Sequence, residues 1–247
     1  MAAADRRRGR SALIFAAVLG VLSLVAAWAL TVSPLFRLED LTVDGLDHLK
    51  QAQVLHLAQI SDSTNVLWLS AGKVEGRIES DPWVADAEIT KDLPSGLTIR
   101  VRERSPVAVA GAKRAWLLVS PDGVVVDTAR ARPTLPELPG VAGLTVGQTI
   151  PEGHMAAARL AGSLNSYGVS EAVESVVVDP TGDLRLVLVE GGKVTVGPPE
   201  ELDQKAEAIA GIVKWAEVND SDIRSIDVTA PAAPAAKVSR GTPPVEG

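Results

Sequence analysis

Between Ile99 and Pro106 the chain reads I-R-V-R-E-R-S-P. In an extended segment, successive side chains point to opposite faces. Arg100, Arg102 and Arg104 then share one face, and Ile99, Val101 and Glu103 share the other. Three guanidinium groups side by side could fork onto carboxylates or phosphates. The other ionisable groups offer less. Glu200-Glu201 and Asp220-x-Asp222 read as solvated helix and loop ends, although separated carboxylates that converge in space could serve glycoside hydrolysis. His48, His56 and His154 are dispersed, and none stands beside a ligand-type partner. No G-x-S-x-G, H-E-x-x-H or P-loop pattern occurs. The chain holds no cysteine, so disulfides, thiolate catalysis and cysteine-ligated metal sites are excluded. The expectation is a protein with no catalytic centre, no cofactor and no metal.

A three-arginine face is unusual on a chain of formal net charge −7, and its use depends on where the segment lies. Residues 1–10 carry four arginines and one aspartate. Ser11 to Val32 is then a run of 22 residues without a charge. At ~1.5 Å per residue, a helix of that length spans about 33 Å, close to the hydrocarbon thickness of a bilayer. Arginines on the N-terminal flank predict a cytoplasmic N-terminus, with the bulk of the chain outside the membrane. The rival is a cleaved signal peptide, with Ala27-Trp28-Ala29 as a loose small-x-small site; the apolar run exceeds the usual signal core of ~7–15 residues and continues past it. Without residues 1–10 the remainder is more acidic still. That argues against nucleic acid as a partner, because phosphate binding needs a basic footprint.

The elements that would position these groups follow from periodicity. Leu38 to Val43 predicts a short strand, turned by Asp44-Gly45. Lys50 to Ile60 and Gly72 to Ser80 predict two helices, the second stopped by Asp81-Pro82. Trp83 to Thr90 and Leu97 to Glu103 alternate as strands around Leu93-Pro94-Ser95-Gly96, with Val84 out of phase. Two helices on one face of a three-stranded sheet is the arrangement implied. Ala115 to Val119 and Val124 to Asp127 flank the turn Pro121-Asp122-Gly123. A proline-rich connector follows, then a helix from His154 to Tyr167, strands at Val173 to Val178, Asp183 to Val189 and Lys193 to Gly197, and a helix from Glu200 to Val218. In that helix Leu202, Ala206, Ile209, Val213 and Ala216 step by 4, 3, 4, 3. Asp222 to Val228 predicts a last strand. The stretch from Ala230, rich in Pro and Ala, is expected to be disordered. Trp68, Trp83 and Trp116 are expected in cores. Trp215 breaks the helical stripe and reads as core or as a partner contact.

L-T-V-D-G-L, N-V-L-W-L, D-P-W-V-A-D-A-E-I, L-P-S-G-L-T-I-R-V and E-R-S-P-V-A, in that order from Phe36 to Pro106, resemble a POTRA domain of the FtsQ/DivIB type. P-D-G-V-V, K-V-T-V-G and S-I-D-V-T-A-P extend the likeness over nearly the whole chain. The resemblance implies an α+β protein: a cytoplasmic tail (1–10), a transmembrane helix (11–32), a POTRA domain (36–104), an FtsQ-type β-rich domain with two helices (105–229) and a loose tail (230–247). It implies a non-enzymatic scaffold of the bacterial divisome, in the cytoplasmic membrane at the septum. Its partners would be small single-pass coiled-coil proteins of the FtsB and FtsL type and, through them, the septal peptidoglycan synthases. In the family a partner adds an extended segment near the last strand of the β domain. Carried over by position, the edge residues are Ile223, Arg224, Ser225, Ile226, Asp227 and Val228, with Ala235 to Val238, including Lys237, just beyond and Trp215 as the nearest aromatic. If that edge is exposed, Ile226→Arg is expected to leave the fold intact and abolish partner binding. Arg100, Arg102 and Arg104 would face away from the POTRA helices, as a solvated face, a dock for an acidic partner or a lipid contact. Glu103, on the apolar side, is expected to pair with an arginine where the two domains meet. The competing functions are a secretion or envelope-assembly component carrying a POTRA domain, and a membrane-anchored wall hydrolase.

Overall fold

The computed structural model describes the backbone of residues 2–111 and 115–240 and the side chains of residues 15–111 and 115–239. The chain divides into two compact units between Glu103 and Arg104. The first begins with helix α1 (Ala2–Thr31), followed by β1 (Asp40–Asp44), α2 (Gln51–Ala58), α3 (Ala71–Ile78), β2 (Val84–Asp92) and β3 (Gly96–Glu103). The sheet order is β1-β3-β2, with β1 parallel and β2 antiparallel to β3. A parallel pair needs a crossover connection, which α2 and α3 supply. Val54 and Ala58 from α2 and Val74 and Ile78 from α3 bury against Ala87, Ile89, Leu97, Ile99 and Val101. Among the described residues, no helix is long and apolar enough to cross a membrane; the described side chains of α1 begin at Phe15.

Two details of the first unit differ from the alternation in the sequence. Val84 is fully buried because the register of β2 on β3 shifts between Val84 and Asp86. The extra residue returns Val84 to the core side. Among the described residues, Glu103 meets no arginine. Its carboxylate accepts the main-chain N–H groups of Asp47, His48 and Leu49 at 3.2, 2.7 and 2.9 Å. The turn before them depends on Gly45, whose φ is +84° and whose missing side chain leaves room for the Val101 carbonyl. An acidic residue on an apolar face is thus explained by three donors waiting beside the entry to α2.

The second unit contains β4 (Ala108–Gly111), β5 (Trp116–Val119), β6 (Val125–Ala129), α4 (Met155–Ser166), β7 (Val173–Val178), β8 (Leu184–Leu188), β9 (Lys193–Gly197), α5 (Leu202–Val218), β10 (Ser221–Asp227) and β11 (Ala235–Arg240). Five strands run β11-β10-β9-β8-β7, and three run β4-β5-β6. Residues 136–138 join the two sets. The Val109 N–H donates to Pro136 and the Leu138 N–H to Val109, while the Glu137 N–H donates to Glu174 and the Val176 N–H to Glu137. Buried Leu160, Ala161 and Leu164 from α4, and Ala206, Ile209, Ala210 and Val213 from α5, enter one core with Val176, Leu184, Leu186, Val194 and Ile226.

Residues 235–240 correct the expectation of a loose tail from Ala230. They form β11, antiparallel to β10, with Ser225 opposite Lys237 and Ile226 opposite Ala236. A-A-K-V-S-R shows no apolar alternation because both faces are exposed; main-chain pairing alone forms the strand. The rest of that expected tail, 241–247, lies outside the described residues.

Glu103→Ala leaves three donors at the start of α2 without their acceptor. The expected result is a loss of about 1–3 kcal/mol from the first unit, measured by chemical denaturation. Glu103→Asp, with a shorter reach, should fall between the two.

Candidate protein-docking edge

A sheet edge presents main-chain N–H and C=O groups to whatever lies beside it. Three of the possible edges in the second unit are covered. β7 and β4 are bridged by residues 136–138. β6 is met at Val124 and Val125 by Gly147, Gln148 and Thr149. β11 has β10 on one side and, among the described residues, no segment on the other. Among the described residues, β11 is therefore the edge strand of this unit along which no other segment pairs.

This displaces the edge expected from the sequence. Ile223, Arg224, Ser225, Ile226 and Asp227 lie on β10, which is held between parallel β9 and antiparallel β11. Ile226 is 1% exposed, and Val228 is fully buried. Of this set, Arg224 and Asp227 are exposed, while Ile223 and Ser225 are half-buried. Asp227 is engaged locally: the Thr229 N–H and hydroxyl donate to its Oδ1 at 3.0 and 2.7 Å, and these bonds lower its pKa. Lys237, by contrast, stands on the edge strand itself. The signal that could have separated them was I-D-V at 226–228, an apolar pair flanking one acid and typical of a half-buried strand.

Beside β10, the last turns of α5 border a cavity of about 370 Å³. Leu188, Val189, Val213, Ala216 and Ile223 give it apolar walls, and Glu171, Glu190, Glu217, Asp220 and Asp222 give it an acidic rim. Trp215 is 51% exposed on the same helix, and Val218 is exposed one turn on. Trp215 is thus outside the core, which corrects the first of its two readings. Trp68 is outside the core as well, at 63% exposure. Trp83 is half-buried and stacks on His48 with ring centroids 3.7 Å apart. Trp116 is half-buried with the Arg132 guanidinium over its ring.

The arginine face does not form a single basic patch. Arg100 pairs with Glu88 at 3.5 Å, both well exposed. Arg102 lies opposite Asp86 in the register and shares a shallow groove with Asp44, Asp86 and Glu88. Arg104, only 15% exposed, opens the second unit, within which its Nε meets Asp122 at 2.8 Å. Burial alone would raise the Asp122 pKa, but hydrogen bonds from the Ser120 hydroxyl and from Arg104 outweigh it and lower the value below 3.8. Acidic neighbours thus make the first two arginines part of a mixed-charge sheet face, and Arg104 belongs to the hairpin of the next domain.

Among the described residues there is no cluster of His, Asp and Glu able to hold a metal. Ser70-Ala71-Gly72-Lys73 does fit an S-x-x-K spacing. Both polar side chains are exposed at the start of α3, with Ser70 as the N-cap residue; the spacing is that of a helix start.

Comparison with known proteins bears on the whole chain. Residues 36–104 match the family model described as POTRA domain, FtsQ-type. Cell division protein FtsQ of Mycobacterium tuberculosis is 26% identical over 93% of this chain and 70% of its own length. The protein of the same name from Streptomyces collinus is 28% identical over 94% of this chain and 90% of its own. The match thus continues through the β-rich unit and does not stop at the POTRA domain. The chain carries an FtsQ-type POTRA domain at residues 36–104 and is similar to cell division protein FtsQ over nearly its whole length. The solved extracytoplasmic domain of the division protein DivIB from Geobacillus stearothermophilus, 16% identical, covers 48% of this chain and 95% of its own with a TM-score of 0.33. Both relatives are cell division proteins by name.

Two outcomes follow. Ile226→Arg puts a cation into the core and is expected to unfold the second unit, costing about 3–5 kcal/mol, so that soluble yield and the thermal transition are lost. Lys237→Glu, on the exposed strand, should shift the transition by less than ~0.5 kcal/mol. For Asp122 the folded pKa is depressed. Its contribution is therefore present at neutral pH and is lost as the pH falls below 3.8 through the lowered value. Asp122→Asn should flatten this acid limb of stability and cost about 1 kcal/mol near pH 7, read from denaturant midpoints across pH.

Proposed function

We propose that the chain is a bitopic, non-catalytic scaffold of the bacterial divisome, held in the cytoplasmic membrane at the septum. The membrane reading rests on the uncharged run Ser11 to Val32 and on α1, whose described apolar side chains Phe15, Leu19, Leu22, Leu24 and Trp28 are all exposed. A helix apolar on every side, with no protein around it, is suited to lipid. The four arginines ahead of the run favour a cytoplasmic N-terminus.

The observation that carries the scaffold reading is the open β11 edge. An extended partner segment can pair with it strand to strand: main-chain hydrogen bonds supply affinity, and neighbouring pockets supply specificity. The partners are small single-pass coiled-coil division proteins of the FtsB and FtsL type, through which the chain reaches the septal peptidoglycan synthases. Lys237 and Val238 lie on the docking strand. Arg224 and Asp227 lie on the adjacent strand β10, Trp215 is exposed on α5, and the acid-rimmed cavity beside β10 suits a basic or apolar side chain of the same partner.

A photo-crosslinking amino acid at Lys237 or Val238 in the full-length protein of dividing cells should yield adducts with a small coiled-coil division protein. The same group at exposed Arg159 on α4 should not. Equal labelling from all three positions, or none from β11, would count against this edge. A fluorescent fusion to the N-terminus should form a midcell band at constriction, and a uniform envelope signal would count against the septal role.

A further inference from the structure

The POTRA unit carries exposed apolar side chains that neither its core nor the β11 edge uses. Leu35, Trp68 and Leu93 are each more than half exposed. They are far apart in sequence, yet the hydrogen bonds gather them at one end of the unit. The Asn65 side chain donates from Nδ2 to the Thr31 carbonyl at 2.8 Å, closing the end of α1. Its Oδ1 accepts the Trp68 N–H at 3.2 Å. The next segment of chain is zipped to the same loop: the Leu38 N–H donates to Thr64 and the Val66 N–H to Phe36. The turn that bears Leu93 is tied in as well, since the Ser95 carbonyl accepts from Glu39 and Asp40. Lys91 Nζ reaches the Leu67 carbonyl at 3.1 Å and joins the two loops.

Depth follows from this connectivity, given the membrane reading of α1 on which the inference rests. The uncharged run, about 33 Å as a helix, fills a hydrocarbon layer of about 30 Å, so Thr31 stands at its outer boundary. The polar layer beyond adds about 5–8 Å on each side. A side chain bonded directly to the Thr31 carbonyl must lie in that layer, and Trp68, held by the same asparagine, lies there with it. Tryptophan has the amphipathic ring that favours this zone, with an apolar body and a polar N–H. The charges nearby are mixed: Arg37 and Lys91 stand among Glu39, Asp40, Asp62 and Asp92. Attraction to anionic headgroups therefore does not supply the contact.

We propose that the Asn65–Trp68 loop and the Leu93 turn insert into the outer interface of the bilayer, so that the POTRA unit is seated on the membrane through Trp68, Leu93 and Leu35 and is not merely tethered to it by α1. The ligand is the lipid surface itself, recognised by apolar and aromatic burial and not by headgroup charge.

The chain lacks cysteine, so single labels can be placed cleanly. Trp68→Cys and Leu93→Cys, made separately in the full-length protein, would carry an environment-sensitive NBD probe in phosphatidylcholine nanodiscs. Trp28→Cys and Trp215→Cys give the membrane and water references. The expected result is blue-shifted emission at 68 and 93, quenched by lipids spin-labelled near the headgroup, shielded from iodide and unchanged by salt or by added phosphatidylglycerol. If position 28 is lipid-quenched while 68 and 93 match position 215, the seating is overturned and the membrane anchor stands. If position 28 itself is open to iodide, the anchor reading falls and the seating falls with it. A response at 68 and 93 that appears only with anionic lipid would overturn the apolar mode of contact.

Discussion

An open β-sheet has edges, and the main-chain groups along an edge must find a partner or water. In the second unit one constraint follows from another. Loop residues 136–138 cover the gap between β7 and β4, and residues 147–149 reach β6. β11 then covers β10 and in doing so becomes the exposed strand. A sequence with a single strong strand former, A-A-K-V-S-R, holds this position because it need only pair and need not enter the core. The domain thus keeps its large apolar residues on β10 and leaves a nearly side-chain-neutral strand at its boundary. An edge of this kind resists indiscriminate aggregation through its lysine and its short length, yet still accepts a strand of the right register.

The two units are built on different economies of burial. The POTRA core is small and is supported by polar clasps: Glu103 on three amides, Asn65 between α1 and the following loop, and Arg77 on the Ala58 carbonyl. Without disulfides, such clasps set loop positions that apolar packing leaves loose. The β-rich unit has a longer continuous core in which two helices cover one sheet. Its polar fixed point is the turn after β5, where the Ser120 hydroxyl and Arg104 both bind Asp122.

Much of this was legible in the sequence. The strand–helix–helix–strand–strand order of the first unit, the 4-3 stripe of α5 and the hairpin around Gly191-Gly192 all follow from period and turn chemistry. What escaped had physical reasons. β4, A-V-A-G, is short and buried on both sides, so it shows no alternation. β11 shows none because it is exposed on both sides. Ile226 reads as an edge residue in the sequence because position along the chain says nothing about whether another strand follows. For Glu103 the sequence points to an arginine because it shows charges and not main-chain amides, whose positions depend on the turn at Gly45. The arginine face was visible, but the carboxylates opposite it on β2 and β1 became evident only with the register. The apolar context of Trp68 points to the core, and the connectivity of Asn65 is what gives it another use.

The central claim is that β11 is where a partner segment adds to the sheet. Amide hydrogen exchange across residues 235–240, with and without the extracytoplasmic part of a coiled-coil division partner, tests it most directly. The account predicts that the outward-facing amides of β11 exchange quickly in the free protein and become strongly protected in the complex, while β7 and β6 change little. Protection that appears elsewhere in the β-rich unit and leaves β11 as labile as before would contradict it.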